Sequence, residues 1–487
     1  MDWFSAPEYW LSRFVFERAL ALIYLVAFIV ALNQFRPLLG ERGLLPAPAF
    51  LRATRFRDTP SVFHIRYSDR MLVAVSWSGI ALAVIALSSL AERAPLPVSM
   101  LVWFGLWALY LSIVNVGQTF YGFGWESLLL ETGFLAIFLG SWDTAPPVTI
   151  MWLLRWLLFR LEFGAGLIKL RGDRCWRTLS CLDYHHETQP MPNPLSWFFH
   201  HLPHRLHQVE VLGNHFAQVV APFLLFAPQP VADIGAAIML ATQIWLVLSG
   251  NFSWLNAITI ALCLSVFDTS VLHHAIPVAA PAQHAPALGF VVVALLVTAL
   301  VAALSWWPVR NMLSRRQHMN ASFNTLHLVN TYGAFGSVAK VRNEVIVEGT
   351  ADAEVTPATS WSEYEFKGKP GSTRRRPPQI APYHLRLDWL MWFVALSPTY
   401  GRGWFAVFLV RLLENDRATL ALLRTNPFPE SPPTFVRARL FRYRFTTAEE
   451  RRASGEWWRR MPAGEYLPAV SLAAADRAGA GALQVQR

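Results

Sequence analysis

The feature that most constrains how this chain can fold is the succession of apolar stretches in residues 1–310. Each stretch is about 20 residues long, the length at which a helix crosses the roughly 30 Å hydrocarbon core of a bilayer. The pattern predicts nine membrane-spanning helices, over residues 14–32, 71–91, 98–114, 125–141, 147–169, 209–227, 230–249, 252–268 and 287–308. The expected fold class is a polytopic α-helical membrane protein.

Composition agrees with this prediction. The chain is 54% hydrophobic and only 15% charged, whereas soluble proteins average roughly 25% charged residues. The chain has 21 tryptophans, and tryptophan is enriched at membrane interfaces. The net charge of +10 comes mostly from arginine. No nucleic-acid-binding motif accompanies this charge, so we expect basic membrane-surface loops and no nucleic-acid partner.

The pattern changes after residue 310, where a C-terminal domain over residues 311–472 is expected to contain β-structure. Alternating, β-branched and aromatic segments predict strands at 338–350, 361–366 and 435–445. Two apolar segments between them, within 381–396 and 403–416, predict amphipathic or interfacial helices. The Ala- and Gly-rich tail, residues 473–487, is predicted to be disordered.

A polar insert, residues 170–208, separates two of the predicted spans and is rich in histidine. The spacing of His200, His204 and His207 is compatible with zinc ligands on a helix. No HExxH or paired CxxC motif accompanies these residues. We therefore favour histidines near lipid headgroups, and predict no metal and no cofactor.

Cys175 and Cys181 lie within the same insert, with five residues between them. They can form one local disulfide if the insert faces an oxidising compartment. The loop 33–70 contains seven arginines and the insert four, which favours a cytoplasmic location for both. Loops of this length translocate largely regardless of charge. The stronger expectation is that this loop, the insert and the C-terminal domain share one side of the membrane.

Polar residues inside the predicted spans indicate that the interior of the helix bundle is polar and hydrated. Arg155, Glu162 and Lys169 recur every seven residues and so lie on one helix face. Two interpretations remain open: an Arg155–Glu162 tie between helices, or a polar substrate chamber. Lys169 ends its helix, where snorkelling to the interface explains it. A second polar stripe, in the next span, consists of Glu210, Asn214 and Gln218.

Several segments resemble the lipase maturation factor family. They are GWESLLLETGF (124–134), RGDRCWRTLSCLDYHHETQPMPNPLSWFFHHLP (171–203), GNFSWLNAITI (250–260), NTYGAFGSVAKVRNEVIVEGT (330–350), WSEYEFKGKPG (361–371), RRPPQIAPYHLRLDWLMWF (375–393) and LLENDRATLALLRTNPFP (412–429). The insert motif within them consists of Asp183, Tyr184, His185, His186 and Glu187. The resemblance implies a multi-pass protein of the endoplasmic reticulum membrane, or of the plasma membrane in a bacterium. It also implies that the C-terminal domain faces the lumen.

Two functions follow as expectations. The resemblance implies a folding or assembly factor whose partners are a client lipase or other secreted protein and membrane lipids, and this function requires no catalysis. The alternative is a membrane enzyme acting on a lipid or quinone-like substrate, with Lys169 as base and His185, His186 and Glu162 positioning the substrate. AGLIKL (165–170) is similar to the segment that bears the catalytic lysine of vitamin K-dependent carboxylases. A transporter is less favoured, because the sequence shows no repeats or paired broken helices.

Overall fold

A computed structural model describes residues 3–478, which form a helical bundle and a C-terminal domain that contains β-strands. Each predicted span contains helix. The nine main helices are α1 (Trp10–Leu39), α2 (Asp69–Leu87), α3 (Leu96–Val116), α4 (Gly124–Ala136), α5 (Val148–Arg171), α6 (His204–His215, continued by Phe216–Val220 and Ala221–Leu224), α7 (Val231–Ser249), α8 (Leu255–Leu264) and α9 (Leu288–Leu304).

Five helical segments within residues 3–478 are both long enough and apolar enough to cross a membrane. They are Pro7–Leu39, Asp69–Leu87, Leu96–Val116, Val231–Ser249 and Leu288–Leu313. The structure therefore supports an integral multi-pass membrane protein, while the count of nine spans stays a prediction. Helices α4 and α8 are short, at 13 and 10 residues. Helix α5 has 24 residues but includes several charged side chains.

Local sequence explains where several helices begin and bend. The Ser68 side chain accepts a hydrogen bond from the Met71 amide and so caps α2. Helix α3 has a proline in its first turn, where the missing N–H group costs nothing. Helix α6 contains one π-helical turn, Phe216–Val220. A π turn changes which side chains face the bundle interior, and Gln218 in this turn lies against the cavity described below.

The C-terminal domain is built on a four-stranded antiparallel sheet with the order β2-β1-β5-β6, beside a β3-β4 pair. Its strands are β1 (Arg342–Thr350), β2 (Ser362–Glu363), β3 (Glu365–Phe366), β4 (Leu423–Thr425), β5 (Phe435–Phe445) and β6 (Trp458–Val470). Its main helices are α10 (Arg386–Leu396), α11 (Phe405–Leu413), α12 (Ala448–Ser454) and α13 (Leu472–Ala478). Helix α13 includes the first residues of the tail predicted to be disordered, and the rest of that tail, 479–487, lies outside the described residues.

Strand β1 is buried along almost its whole length, because α10 and the insert cover its two faces. Its register against β5 runs from Arg342 opposite Tyr443 to Thr350 opposite Phe435. Near-continuous burial explains the run of valine and isoleucine at its centre, as in strands covered on both faces.

The insert and the C-terminal sheet pack against each other. Trp197 Nε1 donates a hydrogen bond to the Thr446 carbonyl at 2.8 Å, and the Glu187 carboxylate accepts one from the Phe445 amide at 2.6 Å. At the end of α1, Gln34 Nε2 donates to the His384 carbonyl at 2.7 Å. The insert, the C-terminal end of α1 and the C-terminal domain therefore lie at one end of the bundle. That the loop 33–70, the insert and the C-terminal domain share one side of the membrane stays a prediction.

Two buried glutamates of α4 connect the bundle to later parts of the chain. Arg386 Nη1 donates to Glu126 Oε1 at 2.7 Å, and neither side chain is exposed. Glu131 forms a buried ion pair with Arg160 and accepts a hydrogen bond from the Asn330 amide at 3.0 Å. Helix α4 is thus the element on which both the C-terminal domain and the segment leading into it are anchored.

Candidate functional site

A cavity of about 570 Å³ lies between the bundle, the insert and the C-terminal domain. Helices α5, α6, α7 and α8 and the first residues of α4 form its bundle side. Its size is within the range of small-molecule sites, and most of its lining is apolar, as is usual for such sites. The aromatic residues that line it are Trp125, Trp176, Phe252, Phe335, Trp389, Trp392 and Phe393.

One wall of the cavity is polar and begins at Lys169. Its ammonium group donates hydrogen bonds to Asn214 Oδ1 and Gln218 Oε1, both at 2.8 Å. The same nitrogen lies 5.1 Å from the centre of the Trp176 ring, a distance that permits a cation–π contact. The Lys169 side chain is buried. The prediction that it snorkels to the interface is therefore wrong, because amide oxygens inside the protein solvate its charge.

The polar wall continues from Gln218 to Glu162. Gln218 Nε2 donates to Glu162 Oε2 at 3.1 Å, and Gln243 Nε2 donates to Glu162 Oε1 at 2.7 Å. Asn256 Nδ2 then donates to Gln243 Oε1 at 2.7 Å. Gln218 points its oxygen toward the ammonium group and its N–H toward the carboxylate, while Asn214 only accepts from the ammonium group and Gln243 donates to the carboxylate. The chain of amides therefore stabilises a buried cation and a buried anion that do not touch each other.

Helix geometry accounts for this arrangement. Seven residues are close to two helical turns, so Glu162 and Lys169 lie on the same face of α5, about 10.5 Å apart along the helix axis. That separation is too large for direct contact, and Gln218 of α6 spans it. Both Asn214 and Gln218 therefore face α5, while Glu210 lines the same cavity nearer the start of α6.

Arg155 lies outside this polar wall. Its guanidinium donates to the Tyr9 hydroxyl at 2.7 Å and to the Leu225 carbonyl at 3.1 Å. The predicted Arg155–Glu162 tie is therefore wrong, because α5 separates the two groups by two turns. Arg155 instead joins the N-terminal segment to the end of α6.

The insert motif contributes two side chains to the cavity, from a short helix over Leu182–Thr188. His185 and His186 both line the cavity and are buried. Burial, and then the positive charge of Lys169, lowers the pKa of His185 to about 4, so this imidazole is neutral near pH 7. The expectation that these histidines lie among lipid headgroups is wrong, because the C-terminal domain and α6 cover them.

The other three residues of the motif hold the insert in place. Asp183 Oδ1 contacts ring nitrogens of His204 and His207 at 2.8 and 3.2 Å. Tyr184 packs beside the small apolar cluster that surrounds Cys175 and Cys181. Glu187 binds the Phe445 amide of β5, as described above.

Cys175 and Cys181 are joined by a disulfide in the structure, with their Cα atoms 4.8 Å apart. The bridge closes the loop that directly follows α5, next to Trp176 at the cavity wall. Whether the bond forms in the native membrane stays a prediction.

Sequence reasoning missed two residues of the polar wall, Gln243 and Asn256. Both belong to helices that are otherwise apolar, α7 and α8. A single amide inside an apolar helix is a usable signal, because such a group needs a partner within the bundle. Helix α10 contributes Trp389 and Trp392 to the cavity. The sequence predicts an interfacial helix for this segment, and no local pattern in it indicates that these tryptophans enclose a cavity.

The helices, the cavity and the docked sheet together define a multi-pass membrane protein with a C-terminal domain that closes an internal site. A family model described as "Lipase maturation factor transmembrane domain" matches residues 11–274. A second, described as "Lipase maturation factor C-terminal domain", matches residues 328–468. The chain belongs to the lipase maturation factor family.

Curated relatives extend over nearly the whole chain. It is 44% identical to Lipase maturation factor 1 of Bos taurus, with 96% of this chain and 90% of that protein covered. It is 42% identical to Lipase maturation factor 1 of Homo sapiens, with 95% and 88% covered. Lipase maturation factor 2 of Homo sapiens is 28% identical, with 95% and 83% covered. No solved structure matches the chain.

Proposed function

We propose that this chain assists the maturation of a lipase or another exported protein as a membrane-bound assembly factor. The observation that supports this function most directly is coverage. The bovine relative named Lipase maturation factor 1 is matched over 90% of its own length, so both the membrane part and the C-terminal domain have counterparts in it. We place the protein in the endoplasmic reticulum membrane of a eukaryote or the plasma membrane of a bacterium.

The edge strand β6 is the part of the C-terminal domain that we propose contacts the client. Residues 461–465 of this strand are exposed, and Met461 is about half exposed. The backbone of an edge strand can pair with an extended segment of another chain. Pro462 removes one donor from this edge, which limits pairing of the edge with other copies of itself.

Client contact can be measured by photocrosslinking. A photoreactive residue at Met461 should crosslink to a newly made lipase, whereas the same residue at Ala453, exposed on α12, should not. Equal crosslinking at both positions would move the client contact away from β6 without affecting the proposed function.

The function itself is tested in cells that lack their own maturation factor. A secreted lipase is expressed with and without this chain, and lipase activity is measured per amount of lipase protein. A secreted monomeric reporter serves as the control. We expect the chain to raise the specific activity of the lipase and leave the reporter unchanged. Equal specific activity with and without the chain, for a panel of secreted lipases, would contradict the proposal.

The enzyme hypothesis is distinguished by Lys169. Arginine keeps the positive charge and can donate to both Asn214 and Gln218, but its pKa above about 12 prevents it from acting as a base. Under the assembly-factor proposal Lys169→Arg keeps lipase maturation, and Lys169→Ala loses only stability. Loss of function in Lys169→Arg with normal expression and melting would favour catalysis in the cavity.

A further inference from the structure

A second cluster of side chains lies at the edge of the cavity and takes no part in the polar wall. It consists of His186 from the insert and of His207 and Glu210 from the first turns of α6. One nitrogen or oxygen atom from each of these residues lies within 4.8 Å of the others. His207 and Glu210 are three residues apart, so they project from the same helix face.

Two members of this cluster have buried polar atoms without a partner. His186 is 4% exposed, and neither of its ring nitrogens has a hydrogen-bond partner among residues 3–478. Glu210 Oε1 accepts a hydrogen bond from Trp245 Nε1 at 2.9 Å. Its Oε2 atom is buried and has no donor in the described part of the chain. A buried polar group left unpaired costs about 1–3 kcal/mol, so these atoms indicate a ligand.

The third member is held in position by its own partners. His207 Nδ1 contacts Asp183 Oδ1 at 3.2 Å, and Nε2 contacts the Phe199 carbonyl at 3.0 Å. Both nitrogens therefore face acceptor oxygens, and the ring can bind a metal ion only by turning one nitrogen away from its acceptor while the other stays hydrogen-bonded. A carboxylate or carbonyl behind one ring nitrogen is the usual support of a metal-binding histidine.

We propose that His186, His207 and Glu210 bind a divalent transition-metal ion of the zinc class. Two imidazoles and one carboxylate are a known three-ligand set for zinc, with the fourth position left for water or another ligand. His186 and Glu210 both line the cavity. A water or ligand molecule in the cavity can therefore occupy the fourth position. Ligand atoms around tetrahedral zinc are roughly 3.4 Å apart, and side-chain rotations that move them by about 1 Å close the site.

This assignment departs from the sequence prediction of no metal and from the spacing considered there. His204 is more than half exposed at its side chain and is bound to Asp183. His200 is directed toward Glu187, at 3.6 Å. The proposed ligands come from two separate elements, and only the packing of the insert on α6 brings them together. A bound ion would fix the insert to α6 and thereby fix one wall of the cavity.

Metal binding is measured on the full-length chain, purified in mild detergent without a polyhistidine tag. The protein is stripped with chelator and titrated with Co²⁺ and then Zn²⁺. Metal content is determined by elemental analysis, and the visible absorption of Co²⁺ reports the coordination number. We expect one tightly bound ion per chain and the intense absorption of a four-coordinate Co²⁺ site.

Variants separate this site from adventitious binding by the 14 histidines of the chain. His186→Leu should abolish the tight site, while His185→Leu, the adjacent buried histidine, should keep it. Glu210→Gln retains an acceptor for Trp245 and should also lose the metal site. This second variant keeps the test valid if His186→Leu fails to fold. Asp183→Asn should weaken metal binding about 10-fold, as for other residues that orient a ligand. No tight ion in the unmodified chain, or equal binding in all variants, would overturn the proposal.

Discussion

Replacing Glu126 with glutamine should weaken the docking of the C-terminal domain on the bundle. Glu126 is fully buried in α4 and receives the guanidinium of Arg386, which is also fully buried. The substitution keeps the size of the side chain, removes its charge and replaces one of its two acceptor oxygens by an NH2 donor. Its effect therefore measures how much this one ion pair contributes to docking.

The size of the effect follows from what remains around Arg386. Its other contacts are the Phe120 carbonyl at 2.8 Å and the Tyr121 ring, whose centre is 3.4 Å from the guanidinium carbon. Neither supplies a counter-charge. Removing one partner of a buried ion pair costs about 3–5 kcal/mol, because the other charge stays out of water. Glutamine can still accept a hydrogen bond, so we expect a loss near 3 kcal/mol in the free energy of unfolding.

Two assays measure this change in detergent–lipid micelles. Chemical unfolding gives the free energy, and limited trypsin digestion follows docking through cleavage after Arg374, which is exposed on a loop. Glu414→Gln is the matched control, because Glu414 forms a partly exposed pair with Arg411. Such a surface pair contributes about 1 kcal/mol or less.

The double variant Glu126→Gln/Arg386→Gln completes the test. If the two groups act as a pair, the combined destabilisation is smaller than the sum of the two single effects. Full additivity, or a Glu126→Gln variant no less stable than Glu414→Gln, would refute the view that this ion pair anchors the domain.

Three further predictions concern the insert, the C-terminal domain and pH. Cys175 and Cys181 should resist alkylation until reductant is added to native membranes, because the structure joins them; two thiols labelled without reductant would contradict the bridge. Residues 320–487 expressed alone should aggregate or bind lipid, because the apolar face of α10 loses the bundle that covers it; a monodisperse, lipid-indifferent monomer would contradict this. Burial, and then the positive charge of Arg386, lowers the pKa of His384 to about 4, so the unfolded state binds a proton that the folded state does not between pH 6.5 and 4. The contribution of His384 to stability should be full above pH 6.5 and fall by about 3 kcal/mol as pH decreases to 4. His384→Gln should remove that part of the pH dependence, and an unchanged profile would contradict the assignment.

The helices of the bundle were predictable because apolar length is a local property of the sequence. Strand β6 was not predicted, and its composition explains why. Pro462 and Gly464 interrupt the alternation expected of a strand, and both lie where the register against β5 is irregular. Pairing with β5 forms this strand despite its local preferences.

The candidate sites were also only partly predictable from the sequence. Glu162, Lys169 and Gln218 were found from helical spacing, because residues on one helix have a fixed relation to each other. Their connection through amides depends on how α5 and α6 are packed. The partners of Glu126 and the cluster around His186 depend on contacts between distant segments, and no spacing within a single element could indicate them.

The anchoring of the C-terminal domain on α4 also sets an order for the synthesis of the protein. Arg386 follows Glu126 by 260 residues. A ribosome that adds about 5–20 residues per second needs roughly 13 to 50 s to make that length of chain. Throughout this interval α4 contains a carboxylate whose cation has not yet been translated. The Glu126–Arg386 pair can therefore form only after Arg386 has emerged from the ribosome, and until then α4 lacks the partner through which the C-terminal domain is anchored on it.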